Sequence, residues 1–167
     1  MGAHRAPVPL VLDLLRHGAA LPAAHGGDDA RPLSPRGRAD LERLAARLAG
    51  MGWRPQRAFA SPLLRARDSA VIALREVAPD LVAEELDALR PESDPGAVME
   101  ALAARGSTEG HVFLVGHQPL LGLLSGLLTG GPAHGLAPGS MVRIQFPGPL
   151  AAGAGVAGRH LTPGFAG

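Results

Sequence analysis

Three short motifs place two arginines and two histidines where they can act on one group. Arg16, His17 and Gly18 close an apolar run; Ser61, Pro62, Arg65 and Ala66 follow a second; Gly116, His117 and Pro119 follow a third. A guanidinium stays charged and grips an oxyanion with two parallel donors, while a neutral imidazole is nucleophilic near pH 7. Two of each, with no carboxylate among them, describe a pocket for a dianion, and phosphate fits that description. Singly, each residue reads more simply as a surface arginine or a strand-end histidine. For this composition RHG and GHxP each arise by chance about one time in ten and SPxxRA roughly one time in a hundred, so all three together arise in about one chain in ten thousand.

The elements that must position them follow from the hydrophobic pattern. Short continuous apolar runs alternate with helical patterns, which is the signature of a layered α/β sheet covered on both faces. Strands are expected at Val8 to Leu15, Arg57 to Ala60, Leu81 to Leu86, His111 to Val115 and Met141 to Phe146, with at most one further edge strand at Val156 to Leu161. Between them fall four helices. The first opens at Ser34 as N-cap with Pro35 at its first position and stops at Gly50 and Gly52. The second repeats that opening with Ser61 and Pro62 and runs to about Val77; the third spans Asp94 to Ala104; the fourth runs from Pro119 to Gly130. All three motifs then lie just past the carboxyl end of a strand, where open α/β sheets bind ligands, and the helix starts at Ser61/Pro62 and Pro119 would add positive dipole ends.

Composition excludes several chemistries. The 167 residues contain no cysteine, tyrosine or lysine, which removes thiolate catalysis, disulfides, Cys-ligated zinc, a P-loop lysine and Schiff bases. With 16 basic against 15 acidic side chains the net charge is +1, and only 3% of residues are aromatic, so neither a nucleic-acid surface nor a base-stacking platform is expected. The pI of about 9.0 reflects the scarcity of groups titrating between neutrality and the arginines. No run reaches the ~18 apolar residues of a membrane span, and a cysteine-free chain defaults to a reducing cytoplasm.

Other candidate motifs fail on context. Gly153, Gly155 and Gly158 spell GxGxxG, but only nine residues follow and no acidic residue after Glu109 could hold a ribose, so no cofactor is expected and the stretch after about residue 148 reads as a flexible Gly/Ala-rich tail. No histidine pair has ligand spacing, and Asp28 with Asp29 has no partner nearby in sequence, so no metal site is expected. His4, His25, His134 and His160 read as solvated loop residues, and His111 as a satisfied histidine at a strand edge.

Together the motifs resemble the histidine phosphatase superfamily, named for its RHG nucleophile. Leu33, Ser34 and Gly37 are similar to its LTxxG helix opening, and the order RHG, LSxxG, SPxxRA, GHxP is the family's order. The small size, the Arg31-Pro32-Leu33 segment, the Glu85-Leu86 strand end and the short connection after it look most like SixA-type phosphohistidine phosphatases. The resemblance covers roughly residues 8 to 146 and implies a phosphoglycerate mutase-like three-layer sandwich. It makes His17 the nucleophile that holds the phosphoryl group, Arg16 and Arg65 the grips on its equatorial oxygens, and His117 a cationic partner in the transition state, with no metal or cofactor. Two positions depart from the wider family: Ala23 stands where many members carry asparagine, and the usual glutamate acid has no clear match, Glu85 being the candidate beside Glu84 and Asp87.

The expectation is one α/β domain over residues 1 to 167, a three-layer sandwich with a mostly parallel central sheet and helices on both faces. The expected activity is phosphoryl hydrolysis on a phosphohistidine protein. A phosphatase of small phosphomonoesters and a degenerate phosphate-binding module are the alternatives, with neither nucleic acid nor membrane as partner.

Overall fold

A computed structural model describes residues 8–22 and 26–163, together with 2, 3, 5 and 6; Ala23, His25 and His4 lie outside it. Six strands form one sheet in the order β3-β2-β4-β1-β5-β6. They are β1 (Leu10–Arg16), β2 (Arg57–Ala60), β3 (Glu84–Glu85), β4 (Gly110–Gly116), β5 (Met141–Phe146) and β6 (Val156–Leu161). The β1/β4, β2/β4 and β2/β3 pairs are parallel, while β5 is antiparallel to both β1 and β6. The helices are α1 (Pro35–Gly50), α2 (Leu64–Leu74), α3 (Pro95–Ala104) and α4 (Leu120–Thr129). The result is the expected α/β sandwich, with the β5–β6 side antiparallel.

Strands buried on both faces read as unbroken apolar runs, and β1 shows why. Leu10, Leu12 and Leu14 face α3 and α4 through Leu102, Leu120, Leu121 and Leu124. Leu15 faces α1 and α2 among Leu41, Leu44, Ala66 and Ala70. Asp13 sits on that second side, wholly buried, and interrupts the apolar run at a cost that four donors offset. Trp53 Nε1 donates to it at 2.7 Å, Arg143 Nε and Nη2 each at 2.9 Å, and His111 Nε2 completes the set. Burial alone would raise its pKa; the bonds from Arg143, His111 and Trp53 outweigh that and hold the carboxyl below its ordinary value.

Three expected elements differ. The third strand shrinks from Leu81 to Leu86 to the pair Glu84–Glu85, which meets only Phe59 and Ala60 at the carboxyl end of the four-residue β2. The second helix begins at Leu64 rather than at Ser61/Pro62, with Leu63 as an N-cap lacking a side-chain bond, and ends at Leu74 rather than Val77. The Ser61 hydroxyl instead accepts from Leu63 N within a preceding turn. The edge strand expected at Val156 to Leu161 forms as β6 and pairs with β5, and Gly153 N and Gly155 N donate to the carbonyls of Leu127 and Leu128, so the flexible tail expected after about residue 148 is corrected between 153 and 161. A Cβ at Gly155 would meet Ile144 and Phe146, so that glycine permits close approach to the sheet rather than binding a pyrophosphate. Among the described residues no helix is long and apolar enough to cross a membrane.

Candidate active site

The register of β1 and β4 brings Arg16 level with Gly116, so the residues that follow, His17 and His117, emerge side by side. His17 N donates to the Gly116 carbonyl at 3.0 Å, and the two imidazole centroids are 4.9 Å apart. Ser61 N donates to Val115 O at 3.0 Å, which sets the end of β2 against the same point and leads one helical turn later to Arg65. Arg16, His17, Arg65 and His117 therefore line one cavity of about 340 Å³ with Ala19, Ala20, Arg31, Pro91, Gln118 and Pro138. Larger grooves of about 450 to 550 Å³ elsewhere contain none of these four side chains.

Helix α1 and helix α2 clamp the loop that carries the first histidine. Ser34 Oγ caps α1 by accepting from Gly37 N at 3.0 Å and also donates to the Ala19 carbonyl. A Cβ on Gly37 would overlap that same carbonyl, and one on Gly18 would strike Leu41, so the glycines of RHG and LSxxG are there for contact between loop and helix. From the other side, Ser69 Oγ accepts from Gly18 N at 3.0 Å while donating to Arg65 O at 2.6 Å.

His17 is 8% exposed and oriented by one hydrogen bond, its Nδ1 lying 2.7 Å from the Gly18 carbonyl. A carbonyl only accepts, so Nδ1 carries the proton and the neutral ring leaves the lone pair on Nε2. Burial lowers its pKa to about 4; the Gly18 carbonyl opposes this, and the charges of Arg65, Arg16 and Arg31 add to it. The ring is thus a free base at neutral pH, which a nucleophile requires. Burial likewise lowers His117 to about 3, with His17 and Arg65 adding to the effect. Burial thus favours the neutral His117 ring, and the cationic role expected of it in the transition state requires an anion beside it to raise that pKa again. Its Nε2 lies 2.8 Å from Ser61 Oγ, and its Nδ1 is buried without a partner among the described residues. Arg16 Nε and Arg65 Nε share that condition, so unspent polar atoms gather at this site.

Asp28 is the carboxylate that the linear reading left without a partner. The structure brings it to Arg65, whose Nη1 donates to its backbone carbonyl at 2.8 Å and Nη2 to its carboxylate at 3.1 Å. Hydrogen bonds from Arg31, then from Arg65, hold the Asp28 carboxyl below its usual range, so it stays ionised. Glu85, the candidate acid, is instead exposed on Arg67 at 3.4 Å and lines a different groove. His134 also departs from a solvated loop role, with its Nδ1 2.6 Å from Ser125 Oγ. Arg31 and Ser61 entered the sequence reading only as parts of motifs, and Ser69 not at all; the spacing of Asp28 and Arg31 was the one signal for their pairing. No group of three His, Asp or Glu able to hold a metal occurs among the described residues.

Comparison with known proteins agrees with the geometry. The profile of the histidine phosphatase superfamily, branch 1, matches residues 12–97. A relative from Picosynechococcus sp., itself described as uncharacterized, is 34% identical over 114 residues, covering 66% of this chain and 68% of that one. Among solved structures, the protein histidine phosphatase SixA complexed with tungstate superposes with a TM-score of 0.79 at 26% identity, over 91% of this chain and 96% of that one. A SixA homologue from Agrobacterium tumefaciens gives 0.77 at 22% identity, over 95% and 100%. A mycobacterial glucosyl-3-phosphoglycerate phosphatase gives 0.62 at 22% identity, over 82% and 90%, and so shares the fold. A buried free-base histidine flanked by arginines, set on this sheet in this motif order, places the chain in the histidine phosphatase superfamily, among its SixA-like members.

Proposed function

We propose that this phosphatase removes the phosphoryl group from phosphohistidine on another protein, through a phosphohistidine on His17. The observation that carries the reading is that no carboxyl group lines the cavity to act as acid for an alkoxide: among the described residues lining it the ionisable side chains are Arg16, His17, Arg31, Arg65 and His117, with His117 assigned to the phosphoryl oxygens, and the neighbouring carboxylate Asp28 is held ionised. An alcohol leaving group needs a proton in the transition state, whereas a phosphorylated imidazole can take one from solvent beforehand.

In the first step His17 Nε2 attacks phosphorus in line, forming a new N–P bond as the substrate's N–P bond breaks and the protonated imidazole leaves neutral. Arg16 and Arg65 neutralise the equatorial oxygens, and His117, protonated as the dianion raises its pKa, adds charge as it spreads there. Water then attacks the phosphoryl group on His17, releasing inorganic phosphate and restoring the free imidazole. That the similar SixA structure is a complex with tungstate, a tetrahedral oxyanion, supports an oxyanion ligand for this fold. The open, shallow pocket suits a side chain presented on a protein surface.

Side-by-side assays should show kcat/KM on a phosphohistidine phosphotransfer domain exceeding that on sugar phosphates or phosphoglycerates by at least about a hundredfold, roughly 2.7 kcal/mol. An acid-labile, base-stable adduct should be trapped on the enzyme and vanish in His17→Ala. Equal or better rates on a small phosphomonoester would move the assignment to that substrate class, and no turnover of any phosphate would leave a binding module.

A further inference from the structure

Arg31 enters the pocket from the loop between β1 and α1, two residues before the Leu33-Ser34 helix opening, and two hydrogen bonds hold it there. Its Nε donates to the Leu21 carbonyl at 2.8 Å and its Nη1 to Asp28 Oδ1 at 3.1 Å. No bond to its Nη2 is made among the described residues, and the side chain lines the cavity that holds His17. Two anchors fix the plane of a guanidinium, so the remaining donors are held in place before any ligand arrives.

Asp28 joins this arginine to Arg65. One carboxylate oxygen takes Arg31 and the other takes Arg65, while the Asp28 backbone carbonyl takes a second Arg65 nitrogen. Asp28 itself does not line the cavity. A carboxylate competing with phosphate would line the pocket; this one bonds both arginines from outside the lining. The pairing also answers a charge problem, since Arg16, Arg31 and Arg65 converge on one small cavity and the Asp28 charge offsets part of their mutual repulsion.

We propose that Arg31 is a third oxyanion-binding residue of this pocket and that Asp28 is the positioning residue that yokes it to Arg65. The proposal rests on reading the pocket as a phosphoryl site, but not on the identity of the leaving group. Three guanidiniums would match the three non-bridging oxygens of a phosphoryl group and grow in effect as charge builds there.

Calorimetric titration of the full chain with orthovanadate and with inorganic phosphate tests it. Arg31→Ala is expected to weaken both by tenfold or more, and Asp28→Asn by three- to tenfold, with the unfolding midpoint unchanged within about 2 °C. In the Arg31→Ala background Asp28→Asn should weaken binding by less than it does in the unaltered protein, because the part of its effect that runs through Arg31 is gone and only the part through Arg65 remains; Arg31→Gln is the second variant should Arg31→Ala fold poorly. Binding within twofold of the unaltered protein in both Arg31 variants would overturn the assignment. So would a loss confined to kcat/KM on a protein substrate with oxyanion binding intact, which would make Arg31 a docking residue. If the unaltered protein bound neither anion, the phosphoryl-site reading would fall, and the role of Arg31 with it; a failure of phosphohistidine preference alone would leave this result untouched.

Discussion

At His17 the ordinary imidazole pKa of about 6.5 is lowered to about 4 by burial and by three guanidiniums, and the single bond from Nδ1 to Gly18 O leaves Nε2 free. Since kcat/KM reports the free enzyme, its acid limb should fall near pH 4, once substrate ionisation is allowed for, with no inflection near 6.5. A steady-state profile from pH 3.5 to 8 checks this; a limb at 6 to 7 would mean that the ring is solvated and the burial is lost in solution. The same depression has a stability consequence. The unfolded chain binds protons at His17 and His117 below about 6.5 while the folded chain resists until about 4 and 3, so folding stability falls as pH drops through that window. The identities of Arg16, His17, Arg65 and His117 as a set were legible in the sequence because each follows a strand end. Arg31 and Asp28 were not, since their loop is placed by bonds to Leu21 and Arg65, contacts that no local pattern encodes.

The helices act as braces, and α1 shows how little slack they leave. Its first turn touches the loop after His17 through the Ser34 hydroxyl and through Gly37, whose missing Cβ makes room for the Ala19 carbonyl. Gly37→Ala must push backbone away from backbone, so we expect a loss of about 1 to 3 kcal/mol in urea unfolding and a fall in kcat of tenfold or more, since the loop carries the RHG glycine. Unchanged kcat with reduced stability would show that the loop can shift without moving His17. The α1 opening was plain from Ser34 and Pro35, and the structure agrees. The same signal misled at Ser61 and Pro62. There the serine hydroxyl is drawn to His117, 56 residues away, and a capping residue with a tertiary partner no longer marks the helix start.

Across the whole molecule, Asp13 ties three separate parts of the chain together: Trp53 before β2, His111 on β4 and Arg143 on β5. Breaking a buried ion pair by removing one charge is far costlier than the pair is worth, so Asp13→Asn should destabilise the fold by about 3 to 5 kcal/mol at pH 7. Because its folded pKa is depressed, the stabilisation is present above about 3.8 and is lost as pH falls further, so the gap between variant and parent should close in acid. Denaturant melts at pH 7 and pH 3 measure both. Asp13 does not line the cavity, so turnover measured where both proteins are folded should match.

The order of strands and helices, the two-sided burial of β1 and β4 and the motif set at their carboxyl ends were determined by the sequence alone, because hydrophobic periodicity, capping residues and residue chemistry are local properties. The bounds of β6 at Val156 to Leu161 were legible as well, whereas the length of β3 depended on where it meets β2. Only the tertiary structure decided that Asp28 reaches Arg65, that Glu85 turns away to Arg67, and that both pocket histidines are held neutral. Those outcomes depend on burial and on charges from distant parts of the chain, and both exist only once the chain has folded.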